Sequence, residues 1–221
     1  MIYEIGHTVL KPLTHALYRP TITGVENFPM TGPVVVAANH RSFIDSFVIP
    51  LAAPRQVAFL AKDAYFTGTG PIGRAQKAFF EGVGAVPVDR DSPRAAQESL
   101  ERGLEVLERG GAFAIYPEGT RSRDGRLYRG RTGVGHLALT TGAPVVPVGL
   151  VGTQDIQPVG ARYPRLAHVE VHFGAPIPVA GRFDGVPAGK ARRQIADEVM
   201  DAISGLIGQP VVPEYNDRAA H

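Results

Sequence analysis

Cysteine is absent from the 221-residue sequence. The chain therefore forms no disulfide, offers no thiolate to a metal and has no cysteine nucleophile; the absence also fits a reducing compartment such as the cytosol. A large excess of charge is missing too, because 23 Lys and Arg stand against 21 Asp and Glu, a formal net charge of +2. So small an excess gives no basis for expecting a nucleic-acid partner.

Long apolar runs are also missing. A transmembrane helix needs about 20 consecutive apolar residues, whereas the best run here, residues 143–151, is far shorter and contains two prolines. The first residues lack the basic start and the compact apolar stretch of a secretion signal. We therefore expect neither a membrane span nor a cleaved signal.

Short apolar segments rich in β-branched residues alternate with segments of helical periodicity. Several are apolar throughout, as is typical of strands buried on both faces of a sheet. The predicted strands are Thr21–Glu26, Pro33–Asn39, Gln56–Ala61, Gly84–Val88, Ala112–Tyr116, Val145–Val151 and His168–Phe173. The alternation predicts an α/β fold, with a mostly parallel or mixed sheet of about seven strands flanked by helices.

No linker divides the chain. One predicted helix begins at Ser92-Pro93 and ends at Gly110-Gly111, and another spans Ala188–Ile207. We therefore expect one domain over residues 21–208. Residues 209–221 contain two prolines and no periodicity, which predicts a loose tail.

Residues 1–20 show the pattern of an amphipathic helix. Ile2, Ile5, Val9, Leu13 and Leu17 recur at spacings of three and four, and Pro12 is expected to kink or split the helix. One interpretation is a helix that lies on a membrane surface. The other is a helix packed against the domain.

The first candidate site is the segment Asn39-His40-Arg41-Ser42-Phe43-Ile44-Asp45, directly after a predicted strand. His40 and Asp45 can meet only if His40 precedes a helix and Asp45 lies in its first turn. A carboxylate on one imidazole nitrogen leaves the other nitrogen as a base. Alternatively, Ser42-x-x-Asp45 is a capping box that serves the helix start.

A second candidate site follows another apolar strand. The segment Glu118-Gly119-Thr120-Arg121 opens a stretch in which residues 121–131 contain five arginines and one acid. Guanidinium groups suit phosphate oxygens, and Gly119 allows close approach of a ligand to the backbone. The segment therefore predicts an anion site, or else a solvated basic turn. Arg90, at the end of a further strand, is placed to reach the same anion.

His168, Glu170 and His172 alternate along one predicted strand and share one face. They form either a metal site or the polar face of a half-buried strand. The sequence contains no Gly-x-Ser-x-Gly nucleophile elbow, which argues against a hydrolase, and neither a Walker loop nor a His-Glu-x-x-His segment.

Four ordered segments together resemble the glycerolipid acyltransferases of the 1-acylglycerol-3-phosphate acyltransferase family. They are Asn39–Asp45, Gly84–Arg90, Glu118–Arg121 and the proline-bearing strand Val145-Val146-Pro147-Val148, and the likeness covers roughly residues 22–175. Where that family often has a Phe-Lys pair, this sequence has Gly130-Arg131.

The resemblance implies transfer of an acyl group from acyl-CoA or acyl-carrier protein to the free hydroxyl of a lysophosphatidic acid-type acceptor. His40 would be the general base and Asp45 its partner, without an acyl-enzyme. Arg90, Glu118, Gly119, Thr120 and Arg121 would hold the acceptor phosphate, and Pro147 would lie near the acyl site. No metal or cofactor is implied, and the enzyme would be peripheral, at the cytoplasmic face of the cell membrane.

Two alternatives remain open at the level of sequence. One is an acyltransferase of the same fold that acts on glycerol 3-phosphate, a glycolipid or an aminolipid. The other is a non-catalytic lipid-binding module, which would have no need of the His40 and Asp45 pair.

Overall fold

A central sheet of seven strands organises the chain. The computed structural model describes residues 11–89, 94–158, 161 and 163–216. The seven strands are β1 (Thr21–Thr23), β2 (Val34–Ala38), β3 (Val57–Lys62), β4 (Ala85–Val88), β5 (Ala112–Ile115), β7 (Val145–Val151) and β8 (Glu170–Phe173). A separate two-stranded sheet joins β6 (Leu127–Tyr128) to β9 (Val211–Val212).

The strand order of the large sheet is β1-β8-β7-β2-β5-β3-β4. Every neighbouring pair is parallel except β7 with β8, which run antiparallel. The sheet is therefore mixed and mostly parallel, and the predicted fold class is confirmed. Each of the seven predicted strands corresponds to one strand of this sheet.

Helices cover both faces of the sheet. Their bounds are α1 (residues 11–18), α2 (Asp45–Ala52), α3 (Gly70–Gly82), α4 (Ala95–Glu108), α5 (Gly133–Thr141), α6 (Thr153–Ile156) and α7 (Ala188–Ile207). Two short 3-10 helices lie at Val25–Asn27 and Asp63–Tyr65. Among the described residues, no helix is long and apolar enough to cross a membrane.

Two apolar cores lie on opposite sides of the sheet because side chains alternate along each strand. Ile49 of α2 and Phe80 of α3 pack on one face, against residues that include Phe59. Leu137 of α5 and Ile195 of α7 pack on the other face with α4. The result is a three-layer arrangement with the sheet in the middle.

The parallel strands place their carboxyl ends at one edge of the sheet, where ligands gather in α/β folds. β2 is buried along its whole length between β5 and β7. The loops that follow β2, β3 and β5 consequently lie side by side at this edge. The segments Asn39–Asp45 and Glu118–Arg121 follow β2 and β5 there, and Lys62 is the last residue of β3.

Several predicted boundaries need comment. α7 has the predicted bounds, and the helix predicted from Ser92-Pro93 is described from Ala95, since residues 90–93 lie outside the described part. Only residues 11–18 of the N-terminal helix are described. The expectation of a loose tail is corrected for residues 209–216, because they contain β9 and bond to the loop after β5.

Candidate active site

Asn39 anchors the first loop to the neighbouring strand. Its side-chain amide donates to the carbonyl oxygen of Leu150 at 2.9 Å, and its Oδ1 accepts the Leu150 backbone N–H at 2.7 Å. This satisfies both backbone groups near the end of β7, which matters because a buried unpaired backbone group costs about 1–3 kcal/mol. The loop that contains His40 therefore starts from a fixed point.

His40 and Asp45 meet as the sequence required. His40 lies before α2, which begins at Asp45, and His40 Nδ1 is 2.9 Å from Asp45 Oδ2. The same carboxylate oxygen accepts the backbone N–H groups of Arg41 at 2.7 Å and Ser42 at 2.8 Å. Asp45 thus bonds both the imidazole and the turn before the helix. The capping box is not formed, because Ile44 is the N-cap and the Ser42 hydroxyl donates to the Gln157 carbonyl at 3.1 Å.

A tyrosine that the sequence analysis did not single out holds the imidazole plane. Tyr116 stacks on His40 with ring centroids 3.7 Å apart and an interplanar angle of 8°. The Tyr116 hydroxyl lies 3.0 Å from the hydroxyl of Ser46 in α2. The position of Tyr116 at a strand end was visible in the sequence, but no local pattern shows which residue it stacks on.

Glu118 is completely buried and links the two loops. Its Oε1 accepts the backbone N–H of His40 at 2.9 Å, and its Oε2 accepts that of Tyr128 at 3.0 Å. Burial raises the pKa of Glu118 to about 7, and the two backbone hydrogen bonds act in the opposite direction. A buried carboxylate with this bonding does not face a phosphate, so the expected phosphate contact is corrected to a positioning role.

The other predicted anion-site residues lie on the loop after β5. Gly119 has φ of +81°, which favours glycine, and Thr120 and Arg121 follow it toward the sheet edge. The backbone N–H of Ser122 donates to the His40 carbonyl at 2.8 Å, which fixes the loop beside the histidine. Arg90 lies outside the described residues.

Most of the arginines of this loop have protein partners. Arg126 Nε donates a hydrogen bond to Asp124 Oδ2. This hydrogen bond is the main reason why the pKa of the Asp124 carboxyl lies well below its usual range. Arg129 and Arg131 each lie 5.3 Å from the centre of the Tyr215 ring. Arg121, Arg123 and Arg126 are exposed, as a solvated basic turn predicts, and Arg121 also lines the cavity beside His40. Both interpretations of the run therefore remain.

A cavity of about 160 Å³ opens beside His40. His40, Ser46, Lys62 and Arg121 provide its polar lining. Its remaining lining is largely aromatic and aliphatic and comes from the loop before α2, from α2, β3 and α3, and from the 3-10 helix Asp63–Tyr65: Phe43, Phe47, Phe59, Leu60, Ala61, Tyr65 and Phe80. The cavity thus joins an imidazole and two cations to an apolar wall.

Pro147 does not line this cavity. It pairs with Ala37 in the sheet register, and the neighbouring Val145 belongs to the core beneath α7. Since side chains alternate along a strand, Pro147 points to the α7 face, opposite the face that carries Phe59. The expected place of Pro147 near the acyl site stays a prediction, and the cavity beside His40 gives it no support.

Glu170 and His172 lie in β8, which pairs with the edge strand β1, whereas His168 precedes β8. His168 Nε2 lies 3.2 Å from the Thr21 hydroxyl, and His172 Nδ1 lies 2.8 Å from that of Thr23. His172 Nε2 is 3.0 Å from a Glu170 carboxylate oxygen. Within the described part of the chain, no group of three His, Cys, Asp or Glu side chains is arranged to hold a metal ion.

Comparison with known proteins shows the family and the fold of this chain. The acyltransferase family matches residues 19–151. A chloroplastic 1-acyl-sn-glycerol-3-phosphate acyltransferase of Brassica napus is 34% identical over 84% of this chain and 52% of its own length. One from Arabidopsis thaliana is also 34% identical over 84% of this chain, and over 50% of its own length.

A solved structure supports the same fold. The crystal structure of the 1-acyl-sn-glycerophosphate acyltransferase PlsC of Thermotoga maritima matches with a TM-score of 0.64 and 24% identity, over 92% of this chain and 80% of that chain. In this chain the histidine and carboxylate pair lies at the carboxyl end of β2, where α2 begins. The chain belongs to the acyltransferase family, and it spans about half the length of the curated plant relatives.

Proposed function

We propose that this chain transfers an acyl group from a thioester to the free hydroxyl of a 1-acylglycerol 3-phosphate. The observation that carries the proposal is the cavity in which His40, Arg121 and Lys62 face one space with an apolar wall. A phosphorylated lysolipid presents the matching features, namely a hydroxyl, an anionic headgroup and a hydrocarbon chain. The curated relatives are named for this acceptor.

His40 would act as the general base. Because its Nδ1 faces the Asp45 carboxylate, Nε2 would take the proton from the acceptor hydroxyl. The hydroxyl oxygen then bonds to the thioester carbonyl carbon, and the tetrahedral intermediate collapses with loss of the thiolate. His40 returns the proton to that thiolate, so the products are the ester and a free thiol, without an acyl-enzyme.

Asp45 and Tyr116 would hold the base in its working orientation. The Asp45 carboxylate favours the tautomer with a proton on Nδ1 and stabilises the imidazolium that forms during transfer. Tyr116 restricts the ring plane by stacking at 3.7 Å. Such preorganisation limits the motion that the imidazole would otherwise need to make during the reaction.

The acceptor phosphate would be bound by Arg121, with Lys62 as a second cation on the cavity wall. Gly119 and Thr120 would contribute backbone groups to the same anion, and Arg90 remains a predicted contributor. The donor would be acyl-CoA or acyl-carrier protein. A thioester is already activated, so the transfer as proposed proceeds without a metal.

The protein would work at a membrane surface, on its cytoplasmic side. Leu13 and Leu17 of α1 are each 52% exposed. Phe43, beside the cavity, is 42% exposed, and Ile72 and Phe79 of α3 are 84% and 43% exposed. Exposed apolar side chains on two helices and at the cavity wall are typical of a surface that rests on lipid.

A turnover assay tests the proposal. Purified protein is incubated with each donor, acyl-CoA or acylated acyl-carrier protein, and a panel of acceptors: 1-acylglycerol 3-phosphate, glycerol 3-phosphate, a glycolipid, an aminolipid and a lysolipid without phosphate. Products are read by mass spectrometry, with His40→Ala as the comparison. We expect His40-dependent product chiefly with 1-acylglycerol 3-phosphate. Preference for another acceptor would replace the proposed substrate, and absence of turnover with every acceptor and donor would favour a lipid-binding module.

A further inference from the structure

The segment after α7 runs back over the loop that contains Arg121. Residues 209–216, here called the C-terminal strap, contain β9, which pairs in parallel with β6 through Leu127 with Val211 and Tyr128 with Val212. β6 lies within the loop 117–131, between β5 and α5. The strap is therefore attached to the loop by a short sheet.

Hydrogen bonds attach the strap at three further points along the loop. Gln209 Nε2 donates to the Gly125 carbonyl at 2.6 Å, and the backbone N–H of Arg129 donates to the Glu214 carbonyl at 3.1 Å. Asn216 Nδ2 donates to the Thr120 carbonyl at 3.3 Å. The Gly125 carbonyl also accepts from Arg41 Nη1 at 2.8 Å, which connects the strap to the residue after His40.

The Tyr215 ring packs against the guanidinium of Arg131, which belongs to the loop. The Arg131 guanidinium lies 5.3 Å from the Tyr215 ring centre, and its stem passes Gly119, where an added Cβ would meet Arg131 Cδ at 3.1 Å. Arg131 Nη2 also donates to the Asn216 carbonyl at 3.4 Å. Gly119, Arg131 and Tyr215 thus form three successive layers.

These contacts hold Arg121 from both sides. The carbonyl of Thr120, the residue before it, accepts from Asn216 of the strap. The N–H of Ser122, the residue after it, donates to the carbonyl of His40. With its flanking peptide groups held, the Arg121 backbone is fixed relative to His40, and less entropy is lost when the guanidinium binds an anion.

We infer that the C-terminal strap is a positioning element for Arg121 and thereby sets the affinity for the acceptor phosphate. Arg129 and Arg131 belong to the strap contact and act through Tyr215, whereas Arg121 faces the cavity. The inference rests on the proposed role of Arg121 in acceptor binding.

The test uses single variants of the full chain. Asn216→Ala removes the hydrogen bond to the Thr120 carbonyl, and Tyr215→Ala removes the ring that packs against Arg131. Loss of one neutral hydrogen bond predicts a rise in the acceptor KM of about 2- to 10-fold, which is about 0.4–1.4 kcal/mol at 1.4 kcal/mol per factor of ten. The KM for acyl-CoA and the kcat should stay within about twofold, because the strap does not act on the base. Tyr215→Phe keeps the ring and should restore the acceptor KM.

Asn27→Ala is the matched control. Asn27 Nδ2 donates to the Phe173 carbonyl at 3.0 Å, an equivalent bond away from the loop, and its loss should leave the acceptor KM unchanged. Arg121→Ala, measured in parallel, separates the two proposals. If Arg121→Ala raises the acceptor KM but the strap variants behave like Asn27→Ala, the strap inference is overturned. If Arg121→Ala leaves the acceptor KM unchanged, the proposed role of Arg121 fails, and the strap inference fails with it.

Discussion

At the residue scale, the Asp45 carboxylate orders the loop that presents His40. One of its oxygens accepts from the imidazole and from two backbone N–H groups, all within 2.9 Å. Hydrogen bonds to a charged acceptor contribute about 1.5–3 kcal/mol each. The Asp45 side chain therefore contributes strongly to the geometry of the candidate base.

The substitution Asp45→Asn should impair His40 as a base and leave most of the fold intact. One Asp45 oxygen accepts from His40 and from the N–H groups of Arg41 and Ser42, so the asparagine oxygen would take that position and the NH₂ would replace the buried Oδ1. A neutral amide oxygen stabilises the imidazolium less than a carboxylate does, so Nε2 becomes a weaker base for the acceptor hydroxyl. We expect Asp45→Asn and His40→Ala to lower kcat by about 10²–10⁴, measured by steady-state kinetics.

Thermal unfolding provides the control for these variants. Both should melt cooperatively and within a few degrees of the parent protein, since neither change opens an apolar cavity. If His40→Ala retained more than about a tenth of parental turnover, the general-base role would be lost, because at least about 10²-fold is expected.

Acceptor binding should likewise depend on a single residue, Arg121. A charge-assisted hydrogen bond of about 1.5–3 kcal/mol corresponds to about 10- to 150-fold in acceptor kcat/KM at 1.4 kcal/mol per factor of ten. Arg121→Ala should show such a loss, and Arg121→Lys should recover only part of it, because lysine lacks the planar fork. Weakened acyl-CoA binding with normal acceptor kinetics would instead assign Arg121 to the phosphates of coenzyme A.

At the element scale, α1 and α2 enclose a second apolar space. A cavity of about 230 Å³ lies between α1, α2 and the edge strands, and its lining includes Tyr18, Val48 and Val171. The inner face of α1 therefore packs on the domain while Leu13 and Leu17 remain half exposed. The packing interpretation therefore holds for the inner face of α1, and contact of the outer face with a membrane stays a prediction.

Serine at positions 13 and 17 tests the outer face of α1. The double variant Leu13→Ser and Leu17→Ser should bind anionic vesicles more weakly and lose activity on acceptor presented in a bilayer. Activity on a short-chain, monomeric acceptor should be retained, because the cavity beside His40 is not altered. Vesicle co-sedimentation and paired activity assays provide the measurement.

Met30→Ser is the control for this prediction. Met30 is 60% exposed but belongs to a loop rather than to α1, so its replacement should leave vesicle binding unchanged. Equal loss of activity of the helix variant on both acceptors, with a lowered melting temperature, would mean that Leu13 and Leu17 stabilise the domain instead.

At the scale of the whole molecule, protonation of Glu118 makes the free energy of unfolding depend on pH. Burial raises its pKa from 4.5 to about 7 in the folded protein. Between these two pH values the folded state holds a proton that the unfolded state has released. The stabilisation from this proton is fully present below pH 4.5 and is lost as the pH rises through about 7.

Glu118→Gln should remove this pH dependence. As the pH rises from 5 to 8, the parent should lose unfolding free energy relative to the variant. This loss should approach about 1.4 kcal/mol per pH unit where it is steepest. Urea unfolding at several pH values measures it. Parallel stability curves for the two proteins would contradict the raised pKa.

The sequence by itself determined the features that arise from neighbouring residues. Side-chain periodicity predicts the apolar strands and the helix Ala188–Ile207. A spacing of five residues allows His40 to meet Asp45. The order of strands in the chain also implied that the loops after β2 and β5 share one edge, because parallel strands point their carboxyl ends the same way.

Tertiary structure alone decided which distant groups complete the site. Asn39 bonds Leu150 from 111 positions away, and Glu118 bonds the His40 backbone from 78 positions away. Such bonds leave no periodic trace in a sequence, since any strand-end polar residue has the same local pattern. The strap was missed for the same physical reason: a two-residue strand and bonds to backbone carbonyls need no apolar repeat, so residues 209–216 resembled a loose tail until folding set them against the Arg121 loop.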